Sequence, residues 1–311
     1  MSANLPIVLG LAAWLACTAA VGSEPAPAGV PSRAAVPSRA AVLVSSAITE
    51  LERHETISAK IRHRVNLLGH AMTGSGVYLQ GSWRQRLLRL ELKMQVDDKL
   101  TSLQQVCDGR HLWVHQQLLD GPGLGRIDVA RVIEAIEGSG GTGDAEAAVG
   151  SLALGGLPRL LSGLETAFAF TTARQSRLAD NSVWIVRGEW KSDQLARLLP
   201  DQAEAMAAGA PADLDQLADH LPDHVMLYLG QEDLFPYRIE YRRSRPVKAK
   251  STGEGSASAS KTLVAIDLFD VQVDVPIDSV QFAYTPGSTP YTDLTAEYLK
   301  TLGVVEKVSE E

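Results

Sequence analysis

The most constraining feature of the sequence is a strict alternation of apolar and polar residues at positions 87–97. A period of two with one polar side is typical of an antiparallel strand whose sheet is covered on one face. Burying one such apolar side chain is worth about 1.5–3 kcal/mol, so this face must contact another layer of the protein. The apolar side carries Leu88, Leu90, Leu92, Met94 and Val96, and the polar side carries Arg89, Glu91, Lys93, Gln95 and Asp97.

Further segments with a strand pattern lie on both sides of this one. Asp108-Gly109, between two of them, favours a tight hairpin because Asp-Gly is a preferred turn sequence. In the long strand at 262–275 the apolar parity changes part-way, which predicts a β-bulge near Phe269 or Asp270. The predicted strands are residues 103–106, 111–115, 183–190, 224–229, 237–243, 262–275 and 280–284.

Apolar residues at helical spacing predict helices between the strands. One predicted helix is broken at Gly155-Gly156, and another has Ser192 as its N-cap. Strands with interspersed helices indicate a mainly β fold with α-helices. The predicted helices are residues 41–57, 128–137, 152–164, 192–199, 213–221 and 293–302.

The N-terminal segment is typical of an exported protein. Residues 5–21 carry no charge, and small residues precede a cut before Ser23 or after Ala19. We therefore predict a signal peptide at 1–22 and a periplasmic protein. Lipoprotein processing at Cys17 is the alternative.

The remainder of the chain divides by composition. Residues 23–42 are rich in Pro and Ala and predict a semi-rigid linker. We expect a single domain at 43–303, and an acidic tail at 304–311. Two Gly- or Ser-rich stretches, near 138–150 and 246–260, predict flexible insertions in that domain.

Charge and cysteine content restrict the class of protein. The formal net charge is −8, without a clustered basic surface, so nucleic acid is not expected as a partner. An acidic surface of this kind favours a soluble monomer. After removal of the signal peptide only Cys107 remains, which excludes an intramolecular disulfide and indicates a small buried side chain.

No motif for catalysis or for a cofactor is complete. The glycine-rich stretch at 138–143 lacks the Lys-Ser/Thr of a phosphate loop, and no nucleophile elbow is present. His111 and His115 lie on a predicted strand, about 13 Å apart at about 3.3 Å per residue, too far to bind one ion. We therefore predict a protein that is not an enzyme and has neither a cofactor nor a metal.

Two arginines precede the apolar side of the strand at 87–97. Arg84 and Arg86 have the same parity as Leu88 and allow two interpretations. In the first, the covering of the sheet ends there and the arginines meet water. In the second, they form a cationic rim at the mouth of an apolar groove that suits an anionic amphiphile.

Four segments carry a resemblance to a known superfamily. Residues 104–114, QQVCDGRHLWV, resemble a hairpin of that superfamily with Asp-Gly followed by Trp. Residues 274–278, DVPID, are similar to a second of its motifs. Residues 282–287 and 293–295, FAYTPG and DLT, are similar to the closing motif of its larger members. In these four segments and in their order, the chain resembles the LolA-like superfamily of lipoprotein carriers.

The resemblance implies a strongly curved antiparallel sheet, an incomplete β-barrel, with helices covering its concave face. It implies binding or transport of an apolar or amphiphilic ligand, a lipid or the acyl chain of a lipoprotein. The alternative is an envelope interaction or regulatory protein, with an envelope protein as partner, whose own helices fill the cavity. The predicted ligand-binding residues are Arg84, Arg86, Leu88, Leu90, Leu92 and Met94.

Overall fold

One large sheet organises the chain. The computed structural model describes residues 37–67, 70–96, 99–118, 121–138, 152–245 and 259–301. The predicted signal peptide, most of the linker, the acidic tail and most of both Gly- or Ser-rich insertions lie outside these residues. The strands are β1 (Ile57–Leu67), β2 (His70–Gln80), β3 (Leu87–Val96), β4 (Lys99–Asp108), β5 (His111–Leu118), β6 (Gly121–Asp128), β7 (Phe168–Leu178), β8 (Asn181–Trp190), β9 (His224–Gly230), β10 (Pro236–Arg245), β11 (Ala259–Val273) and β12 (Thr292–Asp293).

The strand order of the sheet is β12-β6-β5-β4-β3-β2-β1-β11-β10-β9-β8-β7. Neighbouring strands are antiparallel except β12 and β6, which are parallel. The sheet is strongly curved and does not close, because it ends at β12 on one side and at β7 on the other. This confirms the predicted fold class, a curved and incomplete barrel.

Strand β3 shows why the sequence forms this sheet. Leu88, Leu90, Leu92 and Met94 are buried, while Arg89 and Glu91 on the other face form an ion pair at 2.6 Å. The alternation predicted for residues 87–97 is thereby confirmed as far as Val96, as the inner and outer faces of a strand; Asp97 lies outside the described residues. The buried face contributes to one apolar core on the concave side of the sheet.

Six helices accompany the sheet within the described residues. The first, α1, begins after Ser38, whose hydroxyl accepts a hydrogen bond from Ala41 N at 3.0 Å. The same hydroxyl donates to Phe170 O at 2.5 Å and so ties α1 to β7. Helices α1 and α3 pack against each other and against strands of the sheet. The helices are α1 (Arg39–Arg53), α2 (Val129–Gly138), α3 (Leu152–Ala167), α4 (Ser192–Leu198), α5 (Ala203–Ala207) and α6 (Thr295–Thr301).

Two local predictions about strand irregularities are confirmed. The register of β1 with β11 advances from Ser58↔Gln272 to Lys60↔Phe269, so β11 contains one extra residue beside Asp270, which has φ 50°. The hairpin between β4 and β5 turns at Gly109, with φ 88°. The Asp108 carboxylate accepts hydrogen bonds from the two backbone N–H groups that follow this glycine, at 2.8 and 2.7 Å.

Several predicted boundaries are wrong. Because α1 begins at Arg39, the linker predicted to 42 extends four residues too far. Ser192 is the first residue of α4, and the N-cap is Lys191, without a side-chain hydrogen bond. Of the predicted helix at 213–221 only a 3-10 turn at Leu214–Gln216 forms.

The chain after β11 also differs from the prediction. Residues 280–284, predicted as a strand, contain the 3-10 turn Ser279–Phe282, which the Asp278 carboxylate caps at Val280 N. Asp293, predicted to begin the last helix, pairs with Arg126 in the short strand β12. Its carboxylate instead accepts a hydrogen bond from Thr295 N at 2.9 Å, so α6 begins two residues later.

The segment between β8 and β9 forms a second, smaller apolar cluster, built on Leu195, Leu199 and Leu217. Arg243 of β10 attaches the end of this segment to the sheet. Its buried guanidinium donates hydrogen bonds to the backbone oxygens of Ala218 at 2.6 Å, Leu217 at 2.8 Å and Leu221 at 3.3 Å. Trp190 of β8 adds a hydrogen bond from its ring N–H to Pro222 O at 2.8 Å, so side chains of two strands hold the end of this segment.

Candidate ligand cavity

An apolar cavity lies between α3 and the concave face of the sheet. Its volume is about 40 Å³. The floor is formed by strands β1, β2, β3, β10 and β11, and the roof by α3. The lining residues are Ile61, His63, Tyr78, Leu90, Leu92, Leu152, Leu157, Leu160, Ile239, Tyr241, Val264, Ile266 and Leu268.

The roof helix is interrupted above this floor. Gly156 has φ 67° and ψ −158°, which is not helical, and Pro158 follows two residues later. A Cβ atom on Gly156 would lie 2.1 Å from Gln80 Oε1, so both the backbone angles and the available space require glycine here. The helix break predicted at Gly155-Gly156 is confirmed.

A buried polar pair on β2 fixes the roof at the break. Leu157 N donates to the Tyr78 hydroxyl at 2.9 Å and to Gln80 Oε1 at 3.2 Å. The Tyr78 hydroxyl in turn donates to Gln80 Oε1. Burial raises the pKa of Tyr78, so this hydroxyl stays protonated and remains a donor. The pair thus satisfies the first N–H of the second half of α3, as a helix cap would.

The titratable side chain His63 lies on the floor of the cavity. It is 1% exposed, and neither ring nitrogen has a hydrogen-bond partner within the described residues. Burial lowers its pKa to about 4, so the imidazole is neutral at pH 7. A neutral imidazole offers one N–H donor and one nitrogen acceptor. The floor of the cavity therefore has unused hydrogen-bonding capacity.

The predicted ligand-binding residues divide into three groups. Leu90 and Leu92 line the cavity. Leu88 and Met94 are buried in the same core but do not line it. Arg84 and Arg86 precede β3, which begins at Leu87.

The parity argument for the two arginines is wrong. Arg84 lies in the 3-10 turn Trp83–Gln85, and Arg86 has φ 55°, so the alternation starts only at Leu87. Neither side chain is among the lining residues. Arg84 and Arg86 therefore do not extend the apolar face of β3, and their role in ligand binding stays a prediction.

His63, Tyr78 and Gln80 were not among the residues predicted from the sequence to bind a ligand. A signal for His63 was present, because residues 57–65 alternate and His63 shares the parity of Ile61 and Val65. No comparable pattern in the sequence indicates Tyr78 and Gln80, because their role depends on where α3 crosses the sheet.

Other candidate groups do not form a site within the described residues. No group of three or more metal-ligating side chains is found in that part of the chain. Cys107 is fully buried, and burial raises the pKa of its thiol to about 11, as suits a small packing residue. None of the helices described is long and apolar enough to cross a membrane.

The fold has distant likenesses among solved structures. It is similar to the lipoprotein LppX of Mycobacterium tuberculosis, at 12% identity and a TM-score of 0.35, over 77% of this chain and 97% of that chain. It is similar to LprF of Mycobacterium bovis, at 10% identity and a TM-score of 0.37, over 80% and 99% of the two chains. A putative outer membrane lipoprotein-sorting protein domain from Vibrio parahaemolyticus matches at 8% identity and a TM-score of 0.32, over 78% and 95%.

These are likenesses of fold alone. No family model matches the chain, and no curated protein matches it in sequence.

Proposed function

We propose that this protein binds the acyl chain of a lipid or lipoprotein, without chemistry, between α3 and the concave face of the sheet. The cavity under α3 carries the proposal. Its lining within the described residues consists of aliphatic side chains, two tyrosines and one neutral histidine. Ligand sites are typically concave, mostly apolar and supplied with few polar groups.

Ligand binding requires the roof to move. The cavity measures about 40 Å³, whereas ligand pockets typically measure about 300–1,000 Å³. The interruption at Gly156 supplies a position at which one half of α3 can shift against the other, because hinges are short segments that absorb a change in backbone angles. Leu157 and Leu160 would then leave the cavity, the hydrogen bonds from Leu157 N to Tyr78 and Gln80 would break, and an alkyl chain would take their place.

A second candidate follows from the same small volume. Leu152, Leu157 and Leu160 of α3 line the cavity, and the space beside them is only about 40 Å³. In that case α3 is a permanent part of the core, and the protein is an envelope interaction or regulatory protein.

The two candidates differ in what the native protein contains and takes up. We expect mass spectrometry of protein purified from its own envelope to detect bound lipid, and an apolar fluorescent probe to bind after delipidation. Val264, 3% exposed, lines the cavity. Val264→Phe should fill the space and abolish probe binding while the protein stays folded. A wild type that neither carries lipid nor binds the probe supports the permanent core.

Export to the periplasm is part of the proposal. The uncharged segment at 5–21 and the small residues before Ser23 support it. We expect N-terminal sequencing of the mature protein to begin at Ser23 or Ala20. Retention of Met1 on protein from the cytoplasm would contradict export.

A further inference from the structure

The imidazole of His63 is a buried polar group that the surrounding protein does not use. Its two ring nitrogens have no hydrogen-bond partner within the described residues, although the side chain is 1% exposed. Buried polar side chains in folded proteins nearly always have a partner, because leaving one unpaired forfeits its hydration. On the floor of a cavity, such a group can donate or accept a hydrogen bond with a bound molecule.

The lining of the cavity restricts the charge of that molecule. None of the described residues that line it is Lys, Arg, Asp or Glu. An ionised carboxylate would lose its hydration there without meeting a cation, which is costly in an apolar environment. A neutral carbonyl oxygen loses much less hydration, and the N–H of a neutral imidazole can donate to it.

We infer that the cavity is selective for an esterified acyl chain, whose carbonyl oxygen accepts a hydrogen bond from the ring N–H of His63. This inference rests on the proposed function, since it names the ligand of that same cavity. It replaces the anionic amphiphile of the sequence analysis with an uncharged one. A free fatty acid, ionised at pH 7, is the disfavoured form.

The position of His63 in the sheet fits this role. β1 lies at the centre of the sheet, between β2 and β11. Apolar lining residues extend from His63 to both sides, Leu90 and Leu92 on β3 and Val264 and Ile266 on β11. An alkyl chain attached to a carbonyl at His63 would therefore contact aliphatic side chains in either direction. Gly74, opposite His63 on β2, leaves the space that the ring occupies.

The test compares three probes that share a chain length. Methyl dodecanoate, sodium dodecanoate and dodecane compete at pH 7.5 with an apolar fluorescent probe, on the wild type and on His63→Phe. We expect the wild type to bind the ester more tightly than the carboxylate. His63→Phe should weaken the binding of the ester about fivefold to tenfold, because one hydrogen bond is lost. It should change the binding of dodecane by less than about twofold. His63→Gln keeps an N–H donor and should restore part of the ester affinity.

The outcomes separate this inference from the proposed function. Failure of all three probes to bind the wild type would overturn both. The inference would be overturned if His63→Phe weakened the binding of ester and dodecane equally. It would also be overturned if the wild type bound the carboxylate more tightly than the ester. Neither result would contradict the proposed binding of acyl chains. Should His63→Phe not fold, the wild type still decides: the ¹⁵N resonances of the His63 ring should shift with methyl dodecanoate and not with dodecane. If these ring resonances do not shift although the ester is bound, the inference is overturned.

Discussion

The imidazole of His63 lies against the backbone of Gly74 on the neighbouring strand. A Cβ atom at position 74 would fall 2.3 Å from His63 Nε2 and 2.2 Å from the backbone oxygen of Lys93. Real Cβ atoms do not approach other atoms so closely. The glycine is therefore required by space rather than by its backbone angles, and it determines where the histidine ring can lie.

Gly74→Ala should lower the free energy of unfolding by about 1–3 kcal/mol, because a methyl group has to displace both the ring and a strand backbone. Urea denaturation measures this loss. Gly123→Ala is the matched control, since its Cβ would meet only the Gln116 side chain, at 3.4 Å. The control should change stability by less than about 0.5 kcal/mol. Equal losses in the two variants would mean that the His63 ring and the Lys93 backbone move aside at little cost in stability.

Gly156→Ala should weaken the attachment of α3 to the floor of the cavity. The new methyl group would approach Gln80 Oε1 at 2.1 Å and the Tyr78 hydroxyl at 2.7 Å, in addition to the cost of a positive φ, which is about 1–3 kcal/mol. Gly209→Ala is the control, because Gly209 also has positive φ but nothing within 4 Å of its Cβ position. We expect Gly156→Ala to lower Tm further than the control and to speed the uptake of an apolar probe in stopped-flow fluorescence. If uptake is unchanged, α3 does not control access.

Acid should destabilise the protein through His63. Burial lowers its pKa to about 4 from the usual 6.5. Between these values the unfolded chain takes up a proton that the folded protein does not, so the stabilisation present above pH 6.5 falls as the pH is lowered towards 4. The loss is at most about 3 kcal/mol.

The measurement is the free energy of unfolding at several pH values for the wild type and for His63→Phe. The difference between the two should change between pH 6.5 and 4 and be flat above 7. His70→Gln, at an exposed position, should leave the wild-type slope unchanged. If the difference does not vary with pH, His63 is charged or hydrogen-bonded in the folded protein. Tyr78 and Tyr241 are the other titratable groups that line the cavity, and both stay protonated throughout this range because burial raises the pKa of each.

Arg243→Met should release the segment between β8 and β9. The substitution keeps an apolar stem but leaves the backbone oxygens of Leu217, Ala218 and Leu221 without this donor. We expect a loss of about 2–4 kcal/mol and faster proteolysis of residues 203–221. Arg187→Met removes an exposed arginine paired with Glu189 at 3.2 Å, and should have little effect. Protection of the segment in Arg243→Met would show that its apolar cluster suffices to hold it.

How much of the fold could be predicted depends on how clearly each strand separates its two faces. β3 has four aliphatic or Met residues on one side and charges on the other, so it was predicted almost to the residue. β1 has the same alternation, but an alanine and a histidine interrupt its apolar side, and it was missed. β2 contains Gly74 and Gly76, which have low strand propensity; they occur because neighbouring atoms leave no room for a side chain. That reason exists only in the folded sheet.

The candidate site was predictable only in part for a similar reason. Leu90 and Leu92 follow from periodicity. The cavity itself depends on where α3 crosses the sheet, which no local pattern specifies. The two arginines were misplaced because the alternation was extended through Arg86, whose positive φ ends the strand geometry. A single residue in the left-handed region is enough to invalidate a parity argument.

The strand order has a consequence for how the chain folds. β1 to β6 pair in sequence order, and so do β7 to β11, so most ladders join segments that are near one another along the chain. The β1–β11 ladder is different, because it pairs residues 57–65 with residues 264–273. Closing it costs the entropy of a loop about two hundred residues long, and such contacts slow folding. We expect the two halves of the sheet to form as local meanders and their joining at β1–β11 to be the slow step of folding. The floor of the cavity, with His63 at that seam, would then form only after this step.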